Sequence, residues 1–206
     1  MEEETFRLEN STITKDEINR LPLLKFKGPI HLIKSKHSAS RAIERLKQEA
    51  VVGFDTETRP SFKKGVIHSP ALAQFATRSE AWLFRLKSIA IQTGLLDLFQ
   101  DPHTNKIGLA LHDDIKHLQR LKPFQPRGFL DLAKIAQKTN FQKTGLRNMT
   151  GILLGGRLSK RAQLSNWSKP VLSSGQMTYA ATVAWVSLLL FQKFQKIGLL
   201  DSMDSM

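Results

Sequence analysis

The chain has no cysteine among its 206 residues. Disulfides, thiol nucleophiles and thiolate metal sites are therefore excluded together, and any metal must be held by carboxylates or histidines. Glycine (12) and proline (8) are sparse and no low-complexity tract occurs, so collagen-like, repeat and disordered architectures are poor descriptions. Long hydrophobic runs are missing too. The most apolar stretch, residues 180–190, is broken by Thr182 and Ser187 and falls short of the roughly 20 apolar residues that a bilayer span needs. Residues 1–6 carry three consecutive glutamates, where a secretory or mitochondrial leader carries basic and apolar residues. The expectation is a soluble, cytoplasmic protein with no membrane partner. The six histidines (31, 37, 68, 103, 112 and 117) show no His-Glu-x-x-His spacing, which disfavours a zinc hydrolase. Neither a Gly-x-x-x-x-Gly-Lys-Ser/Thr loop nor a Gly-x-Gly-x-x-Gly turn occurs, which disfavours nucleotide-fuelled motors and dinucleotide enzymes.

What remains is a composition with 41% hydrophobic residues, enough for one domain with a real core. Acids are scarce relative to bases: 31 Lys and Arg against 18 Asp and Glu leave a formal charge of +13. The excess is uneven, because residues 1–25 hold six acids and four bases while residues 26–206 hold 12 acids and 27 bases. Residues 1–25 read as an N-terminal appendage and residues 26–206 as the main domain. A field of this sign concentrates polyanions and supplies the salt-dependent part of nucleic-acid affinity. Solubility charge without a ligand is the plainer reading.

Thr14-Lys15-Asp16-Glu17 has the form of a capping box and starts a short helix that Pro22 stops. A strand at 30–33 leads through Ser38 as N-cap into a helix over 39–47 with Ala39, Ala42, Ile43 and Leu46 on one face. Residues 51–54, Val-Val-Gly-Phe, form a run suited to a strand buried on both faces. Strands at 71–76 and 81–84 are expected to pair as a hairpin. A helix around 93–99, a strand at 106–111 and a helix carrying Ile115, Leu118 and Leu121 up to Pro123 follow. Residues 130–139, 146–154 and 176–197 read as further helices. The whole is one α/β domain with a mixed central sheet flanked by helices.

Asp55 and Glu57 lie two apart at the end of an apolar strand, so both leave the same face while Phe54 and Thr56 leave the other. A solvated strand end is the ordinary alternative, but this is where an open α/β sheet places ligands. Asp113-Asp114 ends a second apolar run, 107–111, where a helix begins. One of these aspartates is a candidate N-cap and the other a candidate site residue.

Four ordered segments carry a resemblance: Val52-Gly53-Phe54-Asp55-Thr56-Glu57, Lys106-Ile107-Gly108-Leu109 through Asp114, Leu164-Ser165-Asn166-Trp167, and Tyr179-Ala180-Ala181-Thr182. Over residues 28–197 the chain resembles the 3′–5′ exonucleases of the DEDD superfamily, tyrosine subclass, related to ribonuclease D and the exonuclease domain of the Werner helicase. The resemblance implies a ribonuclease-H-like exonuclease fold and a catalytic set of Asp55, Glu57, Asp114 and Tyr179. Asp55, Glu57 and Asp114 would be metal ligands for two Mg²⁺ or Mn²⁺ ions, and Tyr179 would orient the attacking water. Hard ions of this kind take oxygen ligands, and two of them lying roughly 3.5–4 Å apart clamp an in-line phosphoryl displacement. A phenol packed in a helix is the ordinary reading of Tyr179 by itself.

In the tyrosine subclass an aspartate follows the tyrosine by four residues, on the same helix face. Here that position is Val183, which has no lone pair for a metal, and residues 176–191 contain no acid to replace it. The expectation is an exonuclease acting on single-stranded or 3′-ended DNA or RNA and impaired at the fourth carboxylate. The alternative is a catalytically inactive nucleic-acid-binding module on the same fold. Phe62, Lys63 and Lys64 beyond the first motif, and Lys160 and Arg161 before Leu164, are candidate nucleic-acid contacts. A solvated basic loop is the plainer reading of 62–64. Trp167, Met177, Leu188 and Phe191 read as packing residues.

Overall fold

The computed structural model describes residues 11–61, 65, 68–89, 94–159 and 162–200. Its elements run α1 (Lys15–Arg20), β1 (Ile30–Ile33), α2 (Lys36–Leu46), β2 (Val51–Thr58), β3 (Pro70–Ala76), β4 (Ala81–Arg85) and α3 (Leu86–Ile89). There follow α4 (Leu95–Gln100), β5 (Asn105–Gly108), α5 (His112–Leu121), β6 (Phe129–Asp131), α6 (Leu132–Ala136), α7 (Leu146–Leu154) and α8 (Ser174–Lys196). The strands form one six-stranded sheet in the order β1-β4-β3-β2-β5-β6. β2–β3 and β3–β4 are antiparallel, and β1–β4, β2–β5 and β5–β6 are parallel. Only β3 therefore runs against the rest. This is the mixed α/β architecture expected from the pattern.

Strand β2 separates two cores. Val52 and Phe54 pack with Phe75, Phe84, Phe99 and the inner residues of α2 and α4 on one side, with the Phe54 ring 5.1 Å from Phe75 and 5.4 Å from Phe129. On the other side Ile107 packs with α6, α7 and the second half of α8. Gly53 allows the closest approach: a Cβ there would stand 1.8 Å from the carbonyl oxygen of Ala184. Absence of that carbon lets α8 lie directly on β2.

The Thr14 capping box is present: the Glu17 amide donates to the Thr14 hydroxyl at 3.2 Å and the Thr14 amide to Glu17 at 2.7 Å. Residues 11–25 do not stand apart from the rest. Ile13, Ile18 and Leu21 crowd against Gly151 of α7, Leu23 bridges to Arg157, and the Leu24 amide donates to the Arg157 carbonyl at 2.9 Å.

Several elements differ from the sequence reading. Helix α2 begins a turn earlier, capped by Ser35, because Ser38 sits at its third position and returns its own hydroxyl to the Ser35 amide. Strand β5 stops at Gly108, and Ala110 takes a left-handed φ of +57° in a turn into α5. Residues 129–131 form a sixth strand paired with β5 and only then a helix, so the 130–139 run is divided. Short helix α3 follows β4 directly and carries no periodic signal of its own. Among the described residues no helix is long and apolar enough to cross a membrane.

Candidate active site

Alternation along β2 puts Asp55 and Glu57 on the face that α8 covers, since Gly53 on that face touches Ala184. Asp55 stands opposite Gln74 in the β2–β3 register, and Gln74 Nε2 donates to Asp55 Oδ2 at 3.2 Å. Glu57 is only 7% exposed. Asp114 lies in the first turn of α5 and accepts a short hydrogen bond from the Thr56 hydroxyl, which leaves the opposite face of β2. Neither Asp113 nor Asp114 caps α5 with its side chain, so the capping role considered for that pair is not filled.

The acid that shapes this corner is Asp131. It accepts from the amides of Ala110 at 2.8 Å and Leu111 at 3.0 Å, fixing the left-handed turn before Asp114, and from Ala133 at 2.9 Å, capping α6. Sequence reasoning missed it by placing residue 131 inside a helix. The available signal was its position: an acid ending an apolar run, as Glu57 and Asp114 do.

Burial and mutual repulsion dominate the electrostatics. Desolvation, then the nearby Asp114 charge, raises the Asp55 carboxyl well above the usual range. Burial, Asp55 and Asp114 push Glu57 up to about 10. Asp114 is raised by burial too, against the opposing hydrogen bond from Thr56. Tyr179 projects near the same acids, and its phenol is raised by burial and by the charges of Glu57 and Asp55, so it stays a hydrogen-bond donor. Its ring lies 6.0 Å from that of Trp167, which is fully buried as expected of a packing residue. Val183 follows one turn later on the Tyr179 face of α8 and is 4% exposed. The structure thus brings Asp55, Glu57, Asp114 and Tyr179 into one electrostatic neighbourhood. Phe62, Lys63, Lys64, Lys160 and Arg161 lie outside the described residues.

The donor chemistry suits a hard divalent ion, because every candidate ligand is an oxygen. The buried Oε1 of Gln74, beside Asp55, has no hydrogen-bond partner among the described residues. The number of donors is short: among the described residues no three Asp, Glu or His side chains converge closely enough to hold a metal. Three acids with one bound to Thr56 match a hard ion in kind but do not complete a two-ion centre.

Comparison with known proteins places these features in a family. A family model described as 3′–5′ exonuclease matches residues 30–198. The bifunctional 3′–5′ exonuclease/ATP-dependent helicase WRN of Mus musculus is 30% identical over 190 residues, covering 87% of this chain and 14% of that protein. The first curated relatives, including ribonuclease D of Gluconacetobacter diazotrophicus, are matched over less than half their own length. Among solved structures, Escherichia coli RNase D superposes with a TM-score of 0.74 at 18% identity, covering 85% of this chain and 48% of that one. The Aedes aegypti Nibbler EXO domain superposes with a TM-score of 0.73 at 21% identity, covering 84% and 89%. These last two establish the ribonuclease-H-like exonuclease fold.

Proposed function

The chain belongs to the 3′–5′ exonuclease family, and from that premise we propose that it trims the 3′ ends of single-stranded DNA or RNA to nucleoside monophosphates, with the hydrolytic step impaired by Val183. The supporting observation is the buried valine one turn beyond Tyr179, on the helix face shared with that phenol and laid against the strand of Asp55 and Glu57. A carboxylate there would join the existing acids; a valine adds none.

In the reaction water attacks the terminal phosphodiester phosphorus, the bond to the penultimate 3′ oxygen breaks, and that oxygen gains a proton. By donor chemistry Asp55, Glu57 and Asp114 are the groups that would hold Mg²⁺ or Mn²⁺, an ion having to draw together three carboxylates that do not converge in its absence. Such an ion, when bound, neutralises phosphate charge and lowers the pKa of water. Tyr179, kept protonated by its burial and by Glu57 and Asp55, orients the attacking water by hydrogen bond. Gln74 holds Asp55 in its rotamer, and Thr56 holds Asp114. Loss of a ligand-supporting contact already costs roughly 10–100-fold in affinity or activity, and loss of a ligand costs at least as much.

The test is Val183→Asp, assayed against the parent by trimming of a 5′-labelled oligonucleotide with Mn²⁺. Restored trimming, faster by at least about 10–100-fold, is expected. Equal rates overturn the role given to Val183. Binding without cleavage by either protein instead identifies a catalytically inactive nucleic-acid-binding module.

A further inference from the structure

Tyr179 forms part of the wall of a cavity of about 820 Å³, within the roughly 300–1,000 Å³ typical of ligand sites. Four stretches of chain enclose it: the segment bearing Asn19 and Lys25, the α7 region through Arg147 and Arg157, the stretch bearing Leu158 and Ser165, and the start of α8 from Ser173 to Thr182. Three lining side chains are cationic and none is acidic. The arginines are held by neutral oxygens, Arg147 Nη2 donating to Asn19 Oδ1 at 2.5 Å and Arg157 Nε to the Leu21 carbonyl at 2.9 Å. Arg147 Nε is buried and has no hydrogen-bond partner among the described residues. The ion pairs among the described residues join His31, Arg45, Glu49 and Glu80, so none of them neutralises Lys25, Arg147 or Arg157. The positive end of the 23-residue helix α8 adds to the same field.

Tyr179, whose phenol feels the charges of Glu57 and Asp55, thus links the carboxylates to a cavity whose charged lining side chains are all cations. A phosphodiester strand needs both: its 3′ end at the acids and countercharge for the phosphates behind it. Residues 19–25 precede the stretch 30–198 that the family description covers, yet they supply one wall.

We propose that this cavity holds the sugar-phosphate backbone of the single strand leading to the 3′ end, with Lys25, Arg147 and Arg157 neutralising its phosphates and the segment around residues 19–25 serving as part of the substrate site. The proposal rests on the exonuclease reading above. A space of this size admits one strand and not a duplex. Its cations position a backbone without reading bases.

The experiment is binding of a labelled oligothymidylate, followed by fluorescence anisotropy over a salt series without divalent metal, for the parent, Lys25→Glu and Lys47→Glu. Lys25 and Lys47 are both exposed, so neither reversal threatens folding. Lys47 follows α2 as its C-cap, on the other side of the sheet from α8. Lys25→Glu is expected to weaken binding about tenfold, the size of a lost charge-assisted contact, and to flatten the log-log salt slope by about 0.7, one phosphate's share on a single strand. Lys47→Glu is expected to bind like the parent. Equal weakening by both variants, or none by Lys25→Glu, overturns the proposal. Cleavage restored in Val183→Asp together with unaltered Lys25→Glu binding overturns the cavity alone. Weakened Lys25→Glu binding with no cleavage by Val183→Asp supports the cavity and overturns the cleavage reading.

Discussion

The two faces of β2 come from alternate residues of one eight-residue strand and obey opposite physics. Val52 and Phe54 enter an aromatic core where every buried atom adds to stability. Asp55 and Glu57 leave the other face, where burial and mutual repulsion raise both carboxyls above their ordinary range. The first face makes the fold, and the second concentrates acids beside a helix that Gly53 lets approach. Titratable groups perturbed together in this way mark functional sites.

Breaking the apolar face should cost most. Phe54→Ala removes a ring that touches Phe75, Phe99 and Phe129, and an equilibrium denaturant titration is expected to lose about 3–5 kcal/mol. Breaking the acid face should do the reverse. With the Glu57 carboxyl raised to about 10, the folded state keeps a proton that the unfolded state releases. Stability is then full below the ordinary glutamate range and is lost as pH climbs towards 10. Glu57→Gln is expected to flatten that pH dependence and to be more stable than the parent at pH 8 while binding Mn²⁺ less well. A Gln variant that is less stable at pH 8 would contradict the account. The smallest effect belongs to the corner between the faces. Asp131→Ala removes a cap and the anchor of the Ala110 turn, and thermal unfolding is expected to report a loss of about 0.5–2 kcal/mol.

The same contrast explains what could be read from the sequence. The apolar face was legible because Val52, Phe54 and the hairpin 70–85 belong to continuous apolar runs, the pattern of strands buried on both faces. Helix α7 was legible to the residue, with Gly155 in the left-handed conformation ending it. The positions of Asp55, Glu57, Asp114 and Tyr179 were legible as an ordered pattern. The link from Asp131 to the Ala110 turn was not, because it joins residues 20 and 21 apart in sequence through backbone amides, which leave no mark on side-chain pattern. Strand β6 was hidden by its length: three half-buried residues run straight into an apolar helix, with too few alternations to reveal a strand. The cavity beside Tyr179 was hidden for a related reason, since Lys25, Arg147 and Arg157 meet only after the chain folds.

The central claim is that the acid face lacks one carboxylate and that position 183 is where it is missing. Calorimetric titration of Mn²⁺ into the parent and into Val183→Asp tests this without requiring turnover. The account predicts binding at least about 10–100-fold tighter in the variant. Equal affinities in the two proteins would contradict it.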